Sequence, residues 1–62
     1  MNHGDAMEVV YDGGRVRLPE WAPGYHIELG PNGIPTMWAD GAWVTRRAPR
    51  SEIWSTKWER VA

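Results

Sequence analysis

With 62 residues, a formal charge of −1 and no cysteine, this chain has room for one domain only and no thiol for a disulfide or a nucleophile. It also carries too little positive charge to work by neutralising nucleic-acid phosphates, which takes a face rich in Lys and Arg, so neither DNA nor RNA is an expected partner. A domain of this size buries only about 60% of the surface its unfolded chain exposes, so residues 1–62 read as one marginal unit whose remaining route to stability is self-association.

The aliphatic inventory is thin, with five Val, three Ile and two Leu, while five Trp and two Tyr supply most of the bulky apolar surface. Tryptophan serves where one ring edge stays wet or reaches a partner. Six of the seven basic residues are Arg, and Arg46, Arg47 and Arg50 form the one cluster. This reflects either planar, bidentate recognition of phosphate or carboxylate or an Arg-rich codon usage. No apolar run approaches a membrane span and no charged segment precedes an apolar one in the manner of a leader. The expectation is a soluble protein of the cytoplasm with no membrane partner.

Residues 1–4 read as a frayed end with His3 solvated. Asp5 followed three residues later by Glu8 has the pattern of a capping box, and Asp12-Gly13-Gly14 can close a helix with a left-handed glycine, giving a helix over about residues 6–12. The competing reading is a hairpin, because Val9, Val10 and Tyr11 prefer strands and Gly13-Gly14 can turn. Residues 15–18 alternate polar and apolar and predict a strand. Pro19, Pro23 and Gly24 mark a loop that presents Trp21, after which residues 25–29 alternate into a second strand with Tyr25, Ile27 and Leu29 on its buried face and His26 on its surface.

Gly30-Pro31-Asn32-Gly33 is a turn, and a third strand is predicted over residues 34–38. Asp40-Gly41 is the strongest hairpin signal; a two-residue turn there sets Trp38 opposite Trp43. The last stretch admits two readings. Ser51 can cap a turn over residues 52–55 that leads into a strand over 57–61, or Trp54, Trp58 and Val61 can lie on one helix face. Under either reading Trp54 and Trp58 are expected in the core.

The order of these features is familiar. The run from Asp5 to Trp21, with a helix closed by Gly13-Gly14, the basic strand Arg15-Val16-Arg17-Leu18 and then a tryptophan loop, the strand Tyr25-His26-Ile27-Glu28-Leu29, the Asp40-Gly41 turn and the closing Glu52-Ile53-Trp54-Ser55-Thr56-Lys57-Trp58-Glu59-Arg60-Val61 resemble the second type of Thoeris anti-defence proteins. These are small phage and prophage sponges that sequester a cyclic ADP-ribose immune signal. The chain departs from that pattern at Leu18, Arg46, Glu52, Ser55 and Lys57, and its connection between the second and third strands is short for the family. The resemblance favours the helix for the first segment. It implies an α+β fold, with a short N-terminal helix packed on a small twisted antiparallel sheet of four to five strands, and a homotetramer with nucleotide pockets between subunits in the host cytoplasm.

Under that reading the ligand is a cyclic ADP-ribose-type nucleotide or a cyclic oligonucleotide, held without a cofactor, a metal or a catalytic residue. Trp21, with Tyr25 close behind, is the candidate base platform, and Trp38 is a further aromatic candidate whose alternative role is sheet stabilisation with Trp43. Arg17, Arg46 and Arg50 are the candidate phosphate donors. Glu52 or Asp40 can accept from ribose hydroxyls and Ser51 can donate. Each has a structural alternative: Trp21 as a core or interface anchor, Arg17 as an ion-pair partner, Asp40 as a hairpin residue. The rival function is a small inhibitor that binds a host protein through exposed Trp and Arg hot spots. No nucleophile, base and glycine-rich phosphate loop combine into an enzyme signature.

Overall fold

The computed structural model describes residues 1–61. One N-terminal helix packs on a five-stranded antiparallel open sheet. The elements in chain order are α1 (His3–Tyr11), β1 (Arg15–Arg17), β2 (His26–Leu29), β3 (Pro35–Ala39), β4 (Ala42–Val44), α2 (Arg50–Ile53) and β5 (Glu59–Val61). The sheet order is β4-β3-β2-β1-β5, so the first four strands form a meander and residues 45–58 return the chain to the far edge.

Register explains the core. Val16 lies opposite Ile27, Ile27 opposite Met37, and Met37 opposite Val44, which lines one transverse row of apolar side chains on the face that α1 covers. Alternation sends their neighbours to the other face, where Trp38 opposes both His26 and Trp43. Ala6 and Val10 of α1 are fully buried with Val16, Leu18 and Trp58, and Met7, Val9, Trp21, Ile27 and Leu29 pack around them.

The helix starts three residues before its expected position. Asn2, not Asp5, is its cap: the Asp5 N–H donates to Asn2 Oδ1 at 2.8 Å. His3 is not solvated either, because its ring meets the edge of Trp58 at 5.7 Å. Met1 is tied in through hydrogen bonds from its amino group to the carbonyls of Thr56 and Trp58. The early start follows from burial, since the apolar stripe of Ala6, Met7 and Val10 extends back to His3 at helical spacing only if the helix begins there.

Its other end matches the expected glycine cap. The Gly13 N–H donates to Val10 O and the Gly14 N–H to Val9 O, with Gly13 at φ 95°, the two bonds of a Schellman closure. Gly14 is buried, and a Cβ there would sit 2.6 Å from Val9 Cγ1 and 3.0 Å from Val9 O. Gly14→Ala should therefore cost about 1–3 kcal/mol through overpacking against a stiff β-branched side chain. Each kcal/mol lowers the melting midpoint of a domain this size by about 4–8 °C. A thermal melt unchanged from the parent would refute the tight fit.

The remaining turns also use local chemistry. The Gly33 N–H donates to Gly30 O and the Gly30 N–H to Ile34 O, closing the first hairpin with Gly33 at φ 72°. Asp40 and Gly41 both have positive φ, 51° and 80°, as a two-residue type I′ turn requires, and Trp38 and Trp43 meet edge to face at 4.9 Å. After β4 the chain follows the short-turn reading rather than the long helix. Ser51 is not its cap: α2 starts at Arg50 behind Pro49, which offers no side-chain bond. His26 is more covered than a surface residue; its side chain is 12% exposed and its Nε2 lies 2.6 Å from Glu28 Oε1. No helix among the described residues is long and apolar enough to cross a membrane.

Candidate ligand-binding site

A nine-residue helix is about 13 Å long and cannot roof five strands spaced about 4.8 Å apart. Between α1 and the β3–β4 half of the sheet it leaves a groove of about 300 Å³ with Met7, Ile27, Met37 and Val44 among its apolar walls and His3 and Arg46 among its polar ones. Of the predicted site residues Arg46 alone lines this groove, and two others meet it. The Arg46 guanidinium donates from Nη1 and Nη2 to the two carboxylate oxygens of Glu52, both at 2.9 Å, and its Cζ stands 5.9 Å from the centre of the Trp21 ring. Trp21 in turn meets Trp58 edge to face at 5.4 Å and 88°.

The electrostatics of this cluster are set by the bidentate pair. Its hydrogen bonds to Glu52 raise the Arg46 pKa above its ordinary value, ahead of a lowering by burial and a further raising by the Glu52 charge. Arg46 is a permanent, oriented cation. The pair joins residues on either side of Pro49 and so closes the loop that leads into α2. The Glu52 carbonyl is fixed as well, because Trp58 Nε1–H donates to it at 3.0 Å.

Arg17 supports this cluster from below rather than reaching into it. Its Nε–H donates to Leu18 O at 3.3 Å and its Nη2 donates to the Trp21 carbonyl, with Glu59 3.8 Å away. Arg17 thereby pins the loop that carries Trp21. The other predicted residues lie elsewhere. The Tyr25 hydroxyl points to Asp40 at 3.5 Å near the β3–β4 turn, and Trp38 is on the opposite sheet face against Trp43. Ser51 is exposed on α2, and Arg50 stacks over Trp54 at 5.5 Å.

Trp54 itself is 73% exposed, not a core residue, while Trp58 is 3% exposed. The two are four residues apart, and α2 ends before Trp54, so Trp58, directly before β5, is the one of the pair that reaches the core under α1. Three contributors were missed from sequence: Trp58 as the wall behind Trp21, and His3 and Met7 beside the groove. The helical spacing of His3, Met7 and Val10 was the available signal. Among the described residues no three His, Cys, Asp or Glu side chains group as a metal site. No protein-family model, curated protein or solved structure matches the chain.

Proposed function

We propose that this protein is a phage anti-defence sponge that binds a cyclic ADP-ribose-type signal, or a related cyclic oligonucleotide, and holds it without cleavage. The observation that carries the reading is the convergence of Trp21 and Glu52 on Arg46, which itself lines an apolar groove. An aromatic plane suits a base, a fixed planar cation suits phosphate, and a carboxylate suits ribose hydroxyls. The resemblance of both ends of the chain to the Thoeris anti-defence family supports it independently.

The groove is at the lower limit of ligand pockets, which span about 300–1,000 Å³. A ligand with a base, ribose and diphosphate therefore needs more wall than one chain supplies, and we place the complete site at a seam between copies, in a homotetramer. A sponge must outcompete a receptor, so the relevant dissociation constant is near nanomolar, about −12 kcal/mol. The rival reading, an inhibitor of a host protein, rests on the exposed Trp54 beside Arg50, the residue types of interface hot spots.

Calorimetric titration with a panel of cyclic ADP-ribose isomers and cyclic oligonucleotides, followed by heating the complex and analysing the released ligand, separates these readings. Tight binding and return of unchanged ligand is the expected result. Silence across the panel would favour a protein target, and an altered ligand would make the protein an enzyme.

A further inference from the structure

Two exposed surfaces of this chain are complementary. The first is the corner at α2, where Arg47, Arg50, Ile53 and Trp54 surround a surface hollow of about 500 Å³. Ile53 is 42% and Trp54 73% exposed, a concentration of apolar surface that a small domain leaves bare only at a cost. Neither Arg47 nor Arg50 has a carboxylate partner among the described residues, whereas Arg15, Arg17 and Arg46 are each matched within the chain, by Glu28, Glu59 and Glu52. The corner therefore calls for a partner that brings negative charge together with an apolar body.

The outer face of α1 has that chemistry. Asp5, Glu8 and Asp12 are exposed there and without ion-pair partners among the described residues, and Tyr11 beside them is 61% exposed. Helical periodicity puts these four on the side opposite the buried Ala6 and Val10.

We propose that the occupant of the α2 corner is a second copy of this chain, docking the acidic outer face of α1 against Arg47, Arg50 and Trp54. One two-fold axis can make the contact twice, each copy giving α1 and receiving at α2. Opposite charges align the copies and set the encounter rate, while the Tyr11 and Trp54 rings supply the apolar anchor. The two surfaces are complementary whether or not the groove holds a ligand.

Light scattering on the eluting protein tests it. The parent should run as a dimer or a multiple of one. Arg50→Glu and Glu8→Arg should each weaken association at least about tenfold, and the combined charge swap E8R/R50E should restore it. Both residues are exposed, and circular dichroism will verify that each variant keeps its fold. The chain has no cysteine, so a double variant Asp12→Cys/Ser51→Cys, at exposed positions that leave both rings in place, gives a clean second readout: oxidation should yield a disulfide-linked dimer on a non-reducing gel. A monomeric parent, or an assembly that ignores both single reversals and forms no cross-link, overturns the proposal. A monomer that still captures nucleotide would sink this interface and the seam between copies but leave sequestration, and a charge-swappable dimer that binds no nucleotide would keep the interface and sink the sponge.

Discussion

Trp58→Ala should leave this domain without a cooperative unfolding transition at 25 °C. A stability of about 0.05–0.15 kcal/mol per residue over 62 residues gives roughly 3–9 kcal/mol in total. Removing a buried tryptophan costs about 3–5 kcal/mol. Trp58 is 3% exposed and meets Trp21, His3 and the central apolar side chains, so its loss opens the core where helix, sheet and the Trp21 loop touch. The substitution also removes the indole donor to the Glu52 carbonyl, a further loss of about 0.5–1.5 kcal/mol, since that carbonyl keeps its bond from the Ser55 N–H. Trp58→Phe separates the two contributions: it retains much of the packing, loses the hydrogen bond, and should fold with a lowered midpoint. Near-ultraviolet circular dichroism and thermal melts check both variants. A Trp58→Ala protein that melts within a few degrees of the parent would show that the core lies elsewhere.

The same residue marks where sequence reasoning stopped. Turns were legible because their chemistry is local: Gly13, Gly33 and the Asp40-Gly41 pair adopt the positive φ that their positions require, and the facing of Trp38 and Trp43 follows directly from the two-residue turn. The start of α1 was not legible, because what orders Asn2 and His3 is the Trp58 region at the other end of the chain. Trp54 and Trp58 have the same chemistry and the same helical spacing relative to the core pattern. Their opposite fates depend on where α2 ends and which strand follows.

The candidate site divides in the same way. Residue types pointed to Trp21, Arg46 and Glu52, and these three meet. Their meeting is set by a loop closure between Arg46 and Glu52 that follows no periodicity and by a tryptophan brought from the other side of the fold. Tyr25 and Trp38 follow strand alternation instead, and that sends Trp38 to the face away from the groove. Arg17 was a candidate for phosphate, and its hydrogen bonds to the Leu18 and Trp21 carbonyls make it the residue that positions the Trp21 loop. Long-range placement, not composition, is what a single sequence withholds.

Trp21→Ala should have the largest effect on ligand capture. Base stacking on an aromatic contributes about 1–3 kcal/mol, and Trp21 also lies under the Arg46 guanidinium, a contact of about 0.5–1 kcal/mol at a partly exposed site. Losing the stacking predicts roughly a fivefold to hundredfold weaker complex, at about 1.4 kcal/mol per tenfold, while losing the Arg46 contact adds to the fall in midpoint. The half-buried ring also packs on Trp58, so the melting midpoint will fall as well, and the two consequences have to be read apart. Trp21→Phe keeps an aromatic plane and part of the packing, and should recover most of the midpoint and part of the affinity. Arg46→Ala strips the Glu52 side chain, only 12% exposed, of its partner and so lowers the midpoint too, whereas Arg46→Lys keeps a positive charge beside Glu52 and removes the planar donor fork. Arg46→Lys should therefore lower affinity with the smaller change in midpoint. Titration calorimetry beside thermal melts on these variants decides the matter: affinity that tracks the midpoint alone would make Trp21 a packing residue, whereas affinity lost in Arg46→Lys beyond its midpoint change places the ligand at this cluster.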